Sequence, residues 1–153
     1  MGRILGIDFG TKRIGCAVSD SDRRLATPLE VYHLRDPAQD ARHFVRLVED
    51  NEVDRIVVGL PVHLGGGEGM VARRAREFGA WLAQVTKRVV VFYDERFTTS
   101  DAEESLIEAG FKRSKRKDLR DMLAARILLQ NYLDDGSPEN PGQPLALDDR
   151  EDR

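Results

Sequence analysis

The feature that most constrains this chain is a single carboxylate within an apolar strand near its start. An apolar run over residues 3–9 carries one acid, Asp8, and a second apolar run covers residues 13–19. Gly10 and Thr11 separate the two runs, which is typical of a β-hairpin. An Asp in such a strand is costly to bury unless it is paired or coordinates a cation. We therefore expect later parts of the chain to bring chemical partners to Asp8.

Length and composition favour one globular domain outside the membrane. The 153 residues are 41% hydrophobic and 33% charged, and no apolar run approaches the ~20 residues that a membrane-spanning helix needs. The first strand begins too close to Met1 to leave room for a signal peptide. Cys16 is the only cysteine, so the chain has no internal disulfide. These features lead us to expect a cytoplasmic protein.

Charge is distributed unevenly along the chain. The net charge is −3, but residues 134–153 alone carry −5, which leaves a weakly basic body of +2. The body also holds a dense basic cluster: Lys112, Arg113, Lys115, Arg116, Lys117 and Arg120. Such a cluster is either a solvated loop or a contact surface for a polyanion. We expect it to be a loop.

The order of predicted elements indicates an α/β fold. We predict strands over residues 3–9, 13–19, within 29–34, 55–60 and 88–93, and helices from 37, over 70–84, over 99–110 and over 118–133. A strand meander followed by alternating strands and helices predicts a five-stranded mixed sheet, antiparallel and then parallel, with helices on both faces. Residues 1–135 would form the domain. The acidic, proline-rich segment 136–153 is predicted to be a disordered tail.

Three acids occur where predicted elements meet loops. Asp8 lies in the first strand, Glu95 follows a buried strand, and Asp121 lies in the first turns of the last helix. The small residues Ala124 and Ala125 would allow that helix to approach the sheet and bring Asp121 near Asp8. Carboxylates from separate segments can hold Mg²⁺ or Mn²⁺. A pair of such ions suits phosphodiester hydrolysis by water.

Other interpretations of these acids stay open. A single Asp at a strand end is commonly a turn former or a cap, and Asp121 could simply stabilise a helix N-terminus. Asp94 and Asp118 compete with their neighbours as ligands. Asp118 is the more natural N-cap, which favours Asp121 as the ligand.

Two further features have simpler interpretations than catalysis. The glycine-rich turn over residues 65–69 is not a P-loop, because no Gly-Lys-Ser/Thr sequence follows it, and the neighbouring His63 has no Cys/His partners for zinc. Trp81 falls inside a predicted helix and is most simply a core residue.

Four motifs in series resemble the YqgF family, also called RuvX. They are residues 6–15 (GIDFGTKRIG), 58–61 (VGLP), 94–99 (DERFTT) and 121–130 (DMLAARILLQ), and the resemblance covers about residues 3–135. It implies a ribonuclease H-like fold related to RuvC-type resolvases. It also implies an acidic Mg²⁺ or Mn²⁺ site on Asp8, Glu95 and Asp121, and an activity described as pre-16S rRNA nuclease or, in older naming, as Holliday junction resolvase.

One motif departs from the family pattern. The family usually continues Gly-Leu-Pro with a segment like Leu-Asn-Met-Asp-Gly-Ser, where this chain has His63 and Gly65 in place of the polar Asn and Asp. The departure bears on loop contacts and substrate preference, because the three acids are intact.

These observations lead us to expect a metal-dependent endonuclease. The residues expected to contact nucleic acid are Lys12, Arg13, Arg96, Lys112, Arg113, Lys115, Arg116 and Lys117. The preferred substrate is structured pre-16S rRNA, alone or on a ribosomal particle, processed at its 5′ end. A four-way DNA junction is the alternative, and paired cuts there would require a homodimer instead of a monomer.

Two other function classes remain as alternatives. The segment from Asp8 to Thr11 also resembles the first phosphate loop of actin-like ATPases and sugar kinases, which use two such domains. A non-catalytic nucleic-acid-binding or ribosome-binding module is the third class.

Overall fold

The computed structural model describes residues 2–61, 69–95 and 113–139. Within these ranges the chain forms strands β1 (Arg3–Phe9), β2 (Arg13–Ser19), β3 (Ala26–His33), β4 (Val53–Pro61) and β5 (Val89–Glu95), and helices α1 (Pro37–Asp50), α2 (Met70–Thr86) and α3 (Arg113–Asp134). The predicted helix over 99–110 and residues 65–68 of the glycine-rich turn lie outside the described residues. None of the helices in the described ranges is long and apolar enough to cross a membrane.

The strands form one mixed sheet in the order β3-β2-β1-β4-β5. β1 pairs antiparallel with β2 and β2 with β3, whereas β4 runs parallel to both β1 and β5. The predicted five-stranded sheet, antiparallel at one side and parallel at the other, is confirmed. The parallel pairing places the carboxyl ends of β1, β4 and β5 at one edge of the sheet, where open α/β sheets bind ligands.

Strand alternation divides the core between the two faces of the sheet. Ile7 of β1 belongs to a cluster with Phe44 of α1 and Leu82 of α2. Ile4, on the opposite face of the same strand, belongs to a second cluster with Leu129 of α3. Because successive side chains of a strand point to opposite faces, one apolar strand supplies both clusters. Helices cover both faces, as predicted.

The start of β3 differs from the prediction. The strand begins at Ala26 instead of near residue 29, so Pro28 lies within it. The pairing shifts register there: Cys16 lies opposite Glu30, whereas Ala17 lies opposite Pro28. A bulge at a terminal strand of the sheet accommodates a residue without a backbone N–H.

The start of α3 corrects a second prediction. The helix begins at Arg113, so the segment 113–117, predicted to be a loop, is helical. Asp118 is therefore an interior helix residue and not the predicted N-cap. Lys and Arg have straight side chains that favour helix, and a charge cluster alone does not separate loop from helix.

The first residues of the predicted tail contact the domain. Arg55 donates hydrogen bonds from Nη1 to the carbonyl of Ser137 (2.9 Å) and to the hydroxyl of Tyr132 (3.0 Å). Tyr132 in turn donates to the carbonyl of Pro138 (2.6 Å). Glu139, the last described residue, also lies near Arg55, with 3.7 Å between its Oε1 and Arg55 Nη2. Disorder of 140–153 stays a prediction, because that part lies outside the described residues.

Candidate active site

Asp8 lies near the carboxyl end of β1, on the face of the sheet that α3 covers. It shares this face with Ile4 and Gly6, because side chains of a strand alternate. Its cross-strand partner in β2 is Gly15. The hairpin between β1 and β2 therefore sets a carboxylate beside a residue without a side chain.

Asp121 reaches this position because glycines let α3 lie directly on the sheet. A Cβ atom added to Gly15 would lie 2.1 Å from the backbone oxygen of Asp121. One added to Gly6 would lie 2.8 Å from the Cβ of Leu129. Ala125 is fully buried at the same contact, as the predicted approach of small residues requires. The glycines are the signal that sequence reasoning missed.

Asp8 and Asp121 line one cavity of about 460 Å³ at the carboxyl edge of the sheet. Its remaining walls come from the hairpin, the end of β4, the start of α2 and the first half of α3: Phe9, Gly10, Thr11, Lys12, Arg13, Pro61, Val71 and Arg120. The structure thus brings together two of the three predicted acids from distant parts of the sequence.

Arg13 is the direct partner of Asp121. Its Nε donates a hydrogen bond to Asp121 Oδ2 at 2.7 Å, and Asp121 is only 8% exposed. Arg120 Nε lies 3.6 Å from the other carboxylate oxygen. Charged hydrogen bonds of this kind fix the orientation of a carboxylate. Arg13 was predicted to contact nucleic acid, but its Nε donates a hydrogen bond to an acid of the candidate site.

Asp118 occupies the outer end of the same charge network. Its Oδ1 lies 3.9 Å from Arg13 Nε and 3.3 Å from His33 Nε2, and its side chain is 46% exposed. Asp121 is the better buried of the two acids and lines the cavity. This difference supports the preference for Asp121 over Asp118 that the sequence suggested.

Glu95, the third predicted acid, is the last residue of β5, and its backbone pairs with Pro61 at the end of β4. This position lies at the same edge of the sheet as the cavity. Among the side chains that the structure describes, no three His, Cys, Asp or Glu residues gather as a metal-binding group. The two gathered carboxylates offer the oxygen ligands that hard cations such as Mg²⁺ require.

The charge of Asp8 also acts on Cys16 in the neighbouring strand. Burial raises the pKa of the Cys16 thiol, and the carboxylates of Glu30 and Asp8 raise it further. Cys16 is fully buried and belongs to the core between the sheet and α1 and α2. A buried, protonated thiol is unreactive, which leaves Cys16 a structural role.

The predicted nucleic-acid contacts other than Arg13 differ in exposure and in whether the structure describes them. Lys12, Lys115 and Lys117 are exposed, whereas Arg116 is partly buried. Arg113 is the first residue of α3. Arg96 and Lys112 lie outside the described residues. The exposed lysines of α3 are on the first turns of the helix that carries Asp121, so the positive charge lies toward the cavity end of α3.

Comparison with known proteins matches most of the chain to one family. Residues 2–135 match the model of the family RuvX, described as "Holliday junction resolvase". A protein of Rhodopirellula baltica named "Putative pre-16S rRNA nuclease" is 40% identical over 133 residues, covering 87% of this chain and 77% of the relative. Proteins of the same name from Dictyoglomus thermophilum and Chloroflexus aurantiacus are 41% and 39% identical, covering 88% and 94% of this chain and 97% and 94% of the relatives.

Solved structures with little sequence identity share the fold. Thermus thermophilus RuvC in complex with a Holliday junction substrate matches with a TM-score of 0.56 at 15% identity, covering 92% of this chain and 99% of RuvC. The fowlpox virus resolvase in complex with Holliday junction DNA matches with a TM-score of 0.52 at 12% identity, covering 87% and 97%. These likenesses confirm the predicted ribonuclease H-like fold of the resolvases.

Proposed function

Because this chain belongs to the RuvX family, we propose that it is a divalent-metal-dependent endonuclease with Asp8, Glu95 and Asp121 at its active site. The observation that carries the proposal is the convergence of Asp8 and Asp121 on one cavity at the carboxyl edge of the sheet. Gly6 and Gly15 permit the close approach of α3 that brings Asp121 to this cavity. Nuclease names among relatives at about 40% identity support the reaction class.

The residues of the cavity fit Mg²⁺ or Mn²⁺. Asp8 and Asp121 would hold the ion, and Glu95 would complete the site from the end of β5. When bound, such an ion polarises a phosphoryl oxygen and lowers the pKa of a bound water. Arg13 keeps the carboxylate of Asp121 in one orientation through its 2.7 Å hydrogen bond.

The basic residues near the cavity would hold the phosphate backbone. Lys12 lines the cavity, and Lys115 and Lys117 are exposed on the first turns of α3. Contacts between lysines and phosphates give affinity without reading sequence, and they weaken steeply with salt. We therefore expect substrate binding that falls with ionic strength and depends little on base identity at these contacts.

The substrate that we propose is the 5′ end of pre-16S rRNA, free or within a ribosomal particle in the cytoplasm. The names of the relatives support this choice. A four-way DNA junction is the second candidate, favoured by the description of the family model. Two coordinated cuts in a junction would need a homodimer.

One cleavage experiment tests the proposal and separates the two substrates. Purified protein is incubated with a 5′-extended 16S precursor and with a synthetic four-way junction, each with Mg²⁺, Mn²⁺ or a chelator. We expect metal-dependent cleavage of the precursor, with the rate reduced at least about 100-fold in Asp8→Asn and Asp121→Asn. Asp50→Asn, an exposed acid at the end of α1, is the matched control. Cleavage of neither substrate, or equal rates in all variants, would refute the proposed site.

A further inference from the structure

A second cavity, of about 440 Å³, opens on the other face of the sheet, beside the candidate active site. Three aromatic side chains form its main surface: Phe9 at the end of β1, and Phe78 and Trp81 of α2. The other lining residues are Thr11, Leu34, Pro37, Asp40, Arg74 and Glu77. Its walls are mostly apolar with a few polar groups, the usual character of a small-ligand site.

The aromatic rings form one connected surface. The ring centroids of Phe9 and Phe78 are 5.3 Å apart, and those of Phe78 and Trp81 are 5.5 Å apart with planes inclined by 32°. Phe44 packs edge-on behind both Phe78 and Trp81. All three lining rings pack against the core yet remain partly exposed. Trp81 is thus held by the core, as predicted, while part of its surface faces the cavity.

Charged residues stand at the rim of this cavity. Arg74 and Glu77 are exposed and lie three residues apart on α2, on the face that also carries Phe78 and Trp81. An arginine can stack on a planar base, and a carboxylate can accept hydrogen bonds from an exocyclic amine. Aromatic rings, a guanidinium and a carboxylate are the groups that recognise unstacked nucleobases.

The two cavities share part of their walls at the hairpin. Phe9 and Thr11 line both of them. Asp8 and Phe9 are successive residues of β1 and therefore point to opposite faces. A nucleic-acid strand that crosses the turn at Gly10 would have a phosphate on the Asp8 side and a base on the Phe9 side.

We propose that the aromatic cavity binds one unstacked nucleobase of the strand whose phosphate lies at Asp8. This inference rests on the proposed nuclease function and narrows its substrate to nucleic acid that is single-stranded beside the cleavage site. A base within a continuous duplex is stacked on both sides and cannot enter the cavity without leaving the helix. A single-stranded precursor end meets this requirement directly.

Trp81 is the only tryptophan of the chain, so its fluorescence reports on this cavity alone. With chelator present to prevent cleavage, short single-stranded RNA, single-stranded DNA and duplex RNA are titrated against the protein, and anisotropy of labelled strands measures binding. We expect the single strands to quench Trp81 and the duplex to bind without quenching. One abasic nucleotide, moved stepwise along the strand, should abolish quenching at one position and weaken binding there by about 5- to 150-fold.

Matched substitutions in α2 distinguish binding in the aromatic cavity from general electrostatic attraction to the strand. Arg74→Ala should weaken single-strand binding about two- to five-fold beyond the effect of Arg73→Ala, which removes the same charge from an adjacent exposed position outside the cavity. Saturating single-strand binding without quenching, or quenching that no abasic position abolishes, would overturn the inference. Because no cleavage is involved, an inactive enzyme that still shows position-specific quenching would refute the nuclease proposal but not the base site.

Discussion

An arginine from the sheet contacts α3 toward each end of the helix, but the two contacts differ in function. At each end an arginine from the sheet reaches the helix: Arg13 of β2 near its start, and Arg55 of β4 near its finish. Arg55 donates only to the hydroxyl of Tyr132 and the carbonyl of Ser137 among the hydrogen bonds of the described residues. Arg13 instead donates to the carboxylate of Asp121, beside a cavity that a second acid, Asp8, also lines.

The difference distinguishes a structural contact from the candidate active site. At the Arg55 end, hydroxyl and carbonyl groups accept the hydrogen bonds of the arginine, and the one carboxylate near it, that of Glu139 at 3.7 Å from Nη2, is exposed and lines no cavity among those described. The Arg13 end collects two carboxylates beside an open cavity, an arrangement that stability alone does not call for, because gathering like charges is costly. Substitutions at the Arg55 end should therefore change stability, and those at the Arg13 end should change metal binding and catalysis.

The largest effect is expected from Gly15→Ala. The new methyl would lie 2.1 Å from the backbone oxygen of Asp121, so α3 must move away from β2. We expect a loss of roughly 3 kcal/mol in the free energy of unfolding, measured by urea titration, and reduced cleavage per folded molecule. Gly79→Ala is the control, since its methyl would instead meet the ring of Phe92 at 2.5 Å on the other face. Equal loss of cleavage in both variants would contradict a specific role for the Gly15 contact.

Arg55→Met should affect stability alone. The substitution removes the hydrogen bonds that Arg55 donates to the hydroxyl of Tyr132 and to the carbonyl of Ser137, together with an exposed ion pair to Glu139, at a cost of about 2 kcal/mol. Urea titration measures the loss, and the cleavage rate per folded molecule should match that of the unchanged protein. If the cleavage rate fell by more than the unfolded fraction of the protein explains, the Arg55 end of α3 would be coupled to the candidate active site.

Arg13→Ala should change metal binding as well as stability. The pair with Asp121 is mostly buried, so its loss should cost about 1–3 kcal/mol. Removing a positive charge beside Asp121 should tighten Mn²⁺ binding about three- to ten-fold in calorimetry. Arg13→Lys keeps the charge and should bind Mn²⁺ nearly as the unchanged protein does. Weaker binding in Arg13→Ala would mean that the arginine is needed to present Asp121 to the ion.

The smallest expected effect is a loss of stability at alkaline pH that involves Tyr132, the partner of Arg55. Burial raises the pKa of Tyr132, with Arg55 acting against that rise. Because the folded state favours the neutral phenol, the stabilisation is complete below the ordinary tyrosine pKa of about 10 and is lost as pH rises through the higher folded value. The free energy of unfolding should fall more steeply above pH ~10 in the unchanged protein than in Tyr132→Phe. If the free energies of unfolding of the two proteins fell in parallel above pH ~10, this prediction would be wrong.

The sequence predicted the sheet because strands depend on local patterns, and it predicted the approach of Asp121 to Asp8 from the small residues on one face of the last helix. Apolar runs with turn residues define the strands, and Ala124 and Ala125 mark the helix face that approaches them. The role of Gly15 was missed because its importance depends on cross-strand register and on the helix above it.

Features that depend on three-dimensional partners were not predictable from the sequence. Arg13 resembled any basic residue near a site until its 2.7 Å bond to Asp121 was seen. The extension of β3 past Pro28 depends on a bulge in its pairing with β2. Likewise, the exposure of Trp81 to a cavity depends on how α2 packs over Phe9.

Calorimetric titration with Mn²⁺ tests the candidate site most directly, because it does not depend on knowing the substrate. The unchanged protein should bind Mn²⁺ in the absence of nucleic acid. Asp8→Asn and Asp121→Asn should each weaken that binding at least about ten-fold, whereas the exposed control Asp50→Asn should not. Binding that is absent from the unchanged protein, or equal in all four proteins, would contradict a metal site at the carboxyl edge of the sheet.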